Sequence, residues 1–374
     1  MRIAVPKESV AGERRVPIVP ETVKRLAAKK IEVSVETGAG VESRVSDDEY
    51  RAVGATIEAS SEPLLAAADV VVRLRVPTLE EIGRLKEGSA LVSPLYPLIN
   101  GDLVKALAAR KITSIAVDMI PRTTVAQMMD VLSSQATASG YYAVLMAATE
   151  LPRFFPMLMT AAGTIAPARV LVLGAGVAGL QAIGTARRLG AVVEAFDVRK
   201  VVKEQVESLG AKFVVVESAD AQTAGGYAKE ASAEDKVKQA EAIARHVKTA
   251  DVVIATALIP GMRAPILVTE EMVKTMKAGS VIVDLAAEQQ GNCALTEPGQ
   301  TVVKHGVTIM GTLNLPSRLA MHASQMYSRN MEKLLLHLAK DGALTLDMKE
   351  EITAGCVITK DGEVVNARVK EKLT

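Results

Sequence analysis

The chain has 374 residues, nearly half of them apolar and only 3% aromatic, with 44 Lys and Arg against 43 Asp and Glu. That length is comfortable for two packed domains, and the near-zero net charge offers no basic surplus for a nucleic-acid partner. Cys293 and Cys356 are too few for a disulfide scaffold, and with His246, His305, His322 and His337 they fall in no metal-ligand spacing; a reducing, cytoplasmic setting without a metal site is expected.

The opening Met-Arg-Ile-Ala-Val-Pro-Lys-Glu lacks the apolar core of a signal peptide and reads as a first strand. Residues 2–5, 32–36, 70–74, 90–93 and 114–118 read as strands, and 20–30 and 102–111 as helices with Leu or Ala recurring at three- and four-residue spacing. A second alternating region gives strands at 170–173, 192–197, 212–216, 252–255, 280–284 and 307–310, with the clearest helices at 177–189 and 233–246. Six such strands are the count of a full dinucleotide-binding sheet. The uncharged runs 154–168 and 170–186 are split by Arg169 and punctuated by Gly and Pro. Neither reaches the ~20 residues a spanning helix needs, so no direct membrane insertion is expected.

Beyond 315 the pattern turns helical through 326–340, is stopped by Asp341-Gly342, and ends in a hairpin over 357–365 turning on Lys360-Asp361-Gly362. This tail is too small for a domain. The expected fold class is α/β: two Rossmann-like domains with parallel sheets and helices on both faces. Residues 1–131 plus 315–374 would form a first, Rossmann-like or flavodoxin-like domain. Residues 132–314 would form a nucleotide-binding domain inserted into it.

Gly174, Gly176 and Gly179, with Val177 and Ala178 between them, follow the apolar strand and open a helix. The first glycine permits a tight turn, the second lets backbone approach a pyrophosphate, and the third lets helix and strand pack closely, with the helix N-terminus facing the phosphates. The acid that should close the next strand is present as Asp197, followed by Val198 and Arg199. Its carboxylate can accept both hydroxyl protons of an adenosine ribose and would repel a 2′-phosphate, favouring NAD(H), although Arg199 is the residue type a 2′-phosphate would seek.

In the first domain, Arg122, Gln127, Asp130, Ser133 and Ser134 follow the strand that ends near Asp118, and Gln127, Asp130 and Ser134 fall at spacings that share one helical face. Arg, Gln, Asp and Ser can hold an amide and a ribose without supplying an acid or base, the chemistry of positioning a nicotinamide for hydride transfer. From spacing alone the segment reads equally as a capped helix with a solvated face. Thr223-Ala-Gly-Gly226-Tyr227 has the composition of a lid or of an ordinary linker. Thr256, Ala257 and Leu258 lead into a Pro-Gly turn at the carboxyl edge of the sheet, where ligands bind in open parallel sheets.

Together these segments resemble the NAD(H)-binding component of proton-translocating transhydrogenases and, more distantly, alanine dehydrogenase. The likeness extends from Gly12-Glu-Arg-Arg-Val16 through Leu132-Ser-Ser-Gln135, the glycine fingerprint, Asp197-Val-Arg199 and Thr256-Ala-Leu-Ile-Pro-Gly261 to Gly291-Asn-Cys293. It implies a cofactor in the cleft between two Rossmann-like domains. It also implies a homodimer exchanging a hairpin near residues 155–165, and direct Re/Si-specific hydride transfer from NADH to NADP⁺ held by a separate component. A separate membrane-spanning proton-channel subunit would couple the transfer to proton translocation, which places the chain peripherally on the inner face of the cytoplasmic membrane. Arg122, Gln127, Asp130 and Ser133 match the family's nicotinamide-side residues and Tyr227 its mobile-loop tyrosine. Gly174, Gly176, Val177, Ala178, Gly179, Asp197, Val198, Arg199, Gly226, Thr256, Ala257 and Leu258 match its cofactor-binding positions. Two departures stand out: Val125 where a second arginine is usual, and Gln290 before Gly291 where the family has paired glycines.

Two other functions are open to such a chain. A stand-alone alanine-type dehydrogenase needs a proton shuttle and a carboxylate clamp. Arg15 survives as a possible clamp, but the family's histidine falls near Tyr96, its lysine at Arg73 or Arg75, its aspartate at Glu288, and no histidine precedes His246. A non-catalytic NAD(H)-sensing module needs only the fingerprint, so the Arg122–Ser133 constellation speaks against it.

Overall fold

The computed structural model describes residues 1–216, 232–258 and 263–373. The chain divides into two compact units, Met1–Gln135 with Ser317–Thr374, and Ala136–Pro316.

In the first unit six parallel strands lie in the order Thr56–Glu58, Glu32–Glu36, Arg2–Val5, Val70–Val72, Ala90–Ser93 and Thr113–Ala116. Counted along the chain this is 3-2-1-4-5-6, the doubly wound dinucleotide order and not the flavodoxin one. Val70–Val72 and Ala90–Ser93 are buried at every position, as expected of parallel strands covered on both faces. The hairpin Val357–Lys360 and Glu363–Val364 extends the sheet antiparallel beside Thr113–Ala116, its Asp361-Gly362 turn at φ +52° and +88°.

Sequence periodicity finds five of these parallel strands. The sixth, Thr56–Glu58, has three residues, and the helices around it (Asp47–Ala52, Ser61–Ala66, Leu79–Arg84) have six each, too few to show a period. Two of them do carry a local signal. Ser46 with Glu49, and Thr78 with Glu81, form reciprocal capping boxes.

The long helix Ala320–Leu338 lies against the extended chain before the helix Pro20–Ala27. Its Ser324 and Ser328 hydroxyls accept the N–H groups of Val16 and Val19 at 3.0 and 2.9 Å, satisfying donors that no strand partner reaches.

The second unit repeats the doubly wound order: Lys212–Phe213, Val192–Phe196, Arg169–Leu173, Val252–Ala255, Val281–Asp284 and Val307–Met310, all parallel. A seventh strand, Thr301–Lys304, absent from the sequence reading, pairs antiparallel with Val307–Met310. Its two-residue turn is His305-Gly306, at φ +53° and +77°, a left-handed pair without the usual Asn or Asp. Leu158–Thr160 and Gly163–Ile165 form a small separate hairpin, on which Met159 is 77% exposed. Among the described residues no helix is long and apolar enough to cross a membrane.

Candidate functional site

The glycine fingerprint stands where the sheet order of the second unit reverses, between Arg169–Leu173 and Val252–Ala255, the usual ligand position in an open α/β sheet. Gly174 takes φ +95°, and a Cβ built on it would lie 2.7 Å from the Thr256 hydroxyl oxygen. A Cβ on Gly179 would collide with the Gly174 carbonyl oxygen, so helix and turn touch backbone to backbone. Gly176 differs: the only atom within 4 Å of a built Cβ is an Arg199 terminal nitrogen at 3.9 Å. The space before it is therefore open. Gly176 is also the N-cap of the twelve-residue helix Val177–Arg188 and supplies no side-chain cap, which leaves that helix end suited to a phosphate. Both observations fit a pyrophosphate here.

Asp197 follows the strand Val192–Phe196, as read from the sequence. One carboxylate oxygen accepts the backbone N–H and the Nε–H of Arg199, both at 2.9 Å; the other accepts the Ala175 N–H at 2.7 Å and an Arg199 terminal N–H at 2.8 Å. The pair is nearly sheltered, and the hydrogen bond to Asp197 raises the guanidinium pKa. A ribose diol reaching this carboxylate would have to displace the Arg199 side chain, so the two residues act as one unit. Val198 is half-buried against the apolar cluster beneath.

Thr256 closes the neighbouring strand, and its hydroxyl lies 2.9 Å from the Gly174 carbonyl oxygen, tying the loop Thr256-Ala257-Leu258 to the fingerprint. Leu258 is 42% exposed. Gly226 and Tyr227 lie outside the described residues.

In the first unit Arg122, Gln127, Asp130 and Ser133 line one cavity of about 290 Å³, with Pro121 and Ala126. The expectation that Gln127, Asp130 and Ser134 share a helical face is corrected. Gln127 sits in the short 3₁₀ turn Ala126–Met129, and the helix Val131–Glu150 begins only after Asp130. The reason is a cap. Asp130 accepts the Ser133 N–H at 2.9 Å and the Ser133 hydroxyl at 2.6 Å, which stops the helix from extending backward through it. Ser134 turns its hydroxyl to the Val131 carbonyl and is not among the residues lining the cavity.

Arg15 is held away from any free carboxylate. Two of its side-chain N–H groups donate to Glu13 at 2.8 and 2.7 Å and a third to Gln135 at 2.8 Å.

Two contributors escaped sequence reasoning. Gly140, on the helix Val131–Glu150, has no room for a Cβ because the Ala178 carbonyl of the fingerprint helix lies against it. Asn292, fully buried, grips the Ala257 backbone at two points. Neither announces itself, because each acts through a contact distant in sequence.

Fold and site define a two-unit, dinucleotide-binding α/β protein of the dehydrogenase type. The family models described as the alanine dehydrogenase/PNT N-terminal and C-terminal domains match residues 4–139 and 143–367. The chain belongs to the alanine dehydrogenase/PNT family. It is 51% identical to an NAD(P) transhydrogenase subunit alpha chain of Rhodospirillum rubrum, over 98% of each chain. A solved transhydrogenase structure from Sinorhizobium meliloti, 41% identical, superposes with a TM-score of 0.86 over 98% of this chain and 99% of that one. An L-alanine dehydrogenase structure, 25% identical, gives 0.83 over 100% and 99%.

Proposed function

We propose that this chain is the NAD(H)-binding component of a proton-translocating NAD(P) transhydrogenase. It acts as a homodimer held on the inner face of the cytoplasmic membrane by partner subunits. A hydride passes between the nicotinamide held here and NADP⁺ held by a separate component, and a membrane-spanning subunit couples that transfer to proton movement. The alpha-subunit relatives favour this reading over others of the same fold.

The observation that carries it is the joint lining of one cavity by Arg122, Gln127, Asp130 and Ser133. These groups offer hydrogen bonds of both polarities to an amide and a ribose, and none is a histidine. The nicotinamide supplies the hydride chemistry; the protein's role is to orient it. Gln127 would hold the carboxamide, while Asp130, braced by Ser133, and Arg122 would fix the ring's approach. On the adenosine side the Gly176 gap takes the pyrophosphate, Asp197 with Val198 and Arg199 the ribose, and Thr256-Ala257-Leu258 the adenosine. Gly226 and Tyr227 are assigned to the same site by resemblance alone.

A stand-alone amino-acid dehydrogenase is the second reading, kept open by the likeness to L-alanine dehydrogenase. It is opposed by the Glu13 and Gln135 contacts that occupy Arg15 and by tyrosine at position 96. The purified chain is incubated with NAD⁺ and small amino acids, L-alanine first, while NADH binding is followed by its fluorescence. Binding without turnover, with hydride transfer appearing only after an NADP(H)-carrying partner is added, is the expected result. Turnover by the chain alone would transfer the assignment to the dehydrogenase reading.

A further inference from the structure

The loop beside the fingerprint is held from behind by a buried polar relay. Asp284, at the end of the strand Val281–Asp284, is fully buried. One of its carboxylate oxygens accepts the Asn292 and Cys293 N–H groups at 2.8 and 2.9 Å and the Thr296 hydroxyl at 2.6 Å; the other accepts the Ala286 N–H at 3.0 Å. A carboxylate with this many donors is a rigid anchor. It places Asn292, also fully buried, with its amide facing the Thr256-Ala257-Leu258 loop.

The Asn292 amide then does what a neighbouring strand would do. Its oxygen accepts the Ala257 N–H at 3.0 Å, and its nitrogen donates to the Ala257 carbonyl at 2.9 Å and to the Pro265 carbonyl at 2.8 Å. The Asn292 backbone carbonyl meanwhile accepts the N–H groups of Leu267 and Val268 at 2.8 and 3.0 Å. One residue thus holds the chain at Ala257 and again at 265–268. The geometry is demanding: Gly291 sits at φ +81°, and a Cβ there would lie 2.6 Å from the Asp284 carboxylate. No side chain other than an amide offers one acceptor and two donors at this reach.

We infer that Asn292, anchored by Asp284, is a positioning residue for the cofactor: it sets the place of Ala257 and Leu258 and thereby the affinity for the adenosine half. The inference rests on the proposed reading that this loop borders bound NADH. Asn292→Asp keeps the acceptor and loses both donors, setting a carboxylate against two carbonyls; Asn292→Ala loses all three bonds.

Both variants and the wild type are compared by NADH fluorescence titration, 5′-AMP displacement, thermal unfolding, and amide hydrogen exchange over residues 256–258. Well below the unfolding temperature, Asn292→Ala is expected to weaken NADH and 5′-AMP by the same factor, about tenfold or more, as buried hydrogen bonds are lost. Exchange at Ala257 should accelerate, and Asn292→Asp should fall at least as far. A folded Asn292→Ala chain with wild-type affinity for both ligands, whatever its unfolding temperature, overturns the inference. If Asn292→Ala does not fold, the decision passes to Asn292→Asp by the same criteria. If the wild type binds no NADH, the functional reading and with it the cofactor role fail, and the exchange data still report whether Asn292 latches the loop.

Discussion

Asp197 and Arg199 are neighbours in sequence that neutralise each other in the fold. The acid still decides which nucleotide is accepted, because a 2′-phosphate would meet the carboxylate where a hydroxyl would donate to it. Asp197→Ala should weaken NADH binding about tenfold or more and narrow discrimination against NADPH, the loss expected for a hydrogen bond to a charged group. Parallel titrations with both nucleotides check this, and unchanged values for both would remove the acid from the site. Gln127 lies on a short turn of the cavity wall, where it can aim a ligand without carrying its binding energy. Gln127→Asn should leave NADH affinity within about twofold while slowing hydride transfer to the partner-bound NADP⁺ tenfold or more. A large affinity loss with normal transfer would reverse its role. At this scale the sequence was legible where chemistry is local: the glycines and the acid are separated by one strand, turn and helix. Asn292 and Gly140 were not, because their partners Ala257 and Ala178 are brought to them only by folding.

Among elements, the helix Val131–Glu150 has the most to explain. Its start is set by the Asp130 cap, and its position at Gly140 by backbone contact with the fingerprint helix. An added methyl has nowhere to go without moving Ala178 and the helix end that faces the phosphates. Gly140→Ala should therefore cost about 1–3 kcal/mol of stability from overpacking. It should also weaken NADH binding more than any exposed substitution on the same helix; Tyr141→Phe, on an exposed residue, is the control. Denaturant unfolding together with NADH titration tests both, and an unaltered titration would mean that the contact is packing only. Elements with a full period were readable in advance, their ends shifting by a few residues. The six-residue helices and the three-residue strand were not, since two turns or fewer carry no periodicity.

For the whole molecule, the N-terminal and C-terminal stretches of the chain meet around Glu13. Its carboxylate accepts N–H groups from Arg14 and Arg15, the Arg15 side chain, and the Ser317 hydroxyl. Burial opposes the charge, yet these bonds and the Arg15 guanidinium hold the carboxyl down at about 2 against an ordinary 4.5. A carboxyl whose pKa is lowered on folding stabilises the native state above its unfolded value and loses that contribution as pH falls from about 4.5 towards 2. The contribution is on the order of 3 kcal/mol near neutral pH. In denaturant titrations between pH 7 and pH 3, Glu13→Gln should begin less stable than the wild type and converge with it on acidification. A gap that stays constant with pH would show that the carboxylate's charge contributes nothing. The sequence by itself determined the class of fold, the fingerprint and the acid that completes it. Each of these rests on hydrophobic period or turn chemistry within about thirty residues, the reach of one βαβ unit. Only the tertiary structure decided that Arg199 closes on Asp197, that Glu13 occupies Arg15, and that Gly140 and Asn292 brace the site. Each is a contact in which buried polar groups or backbone must find partners at van der Waals distance, and no residue pattern along the chain encodes which partner that is.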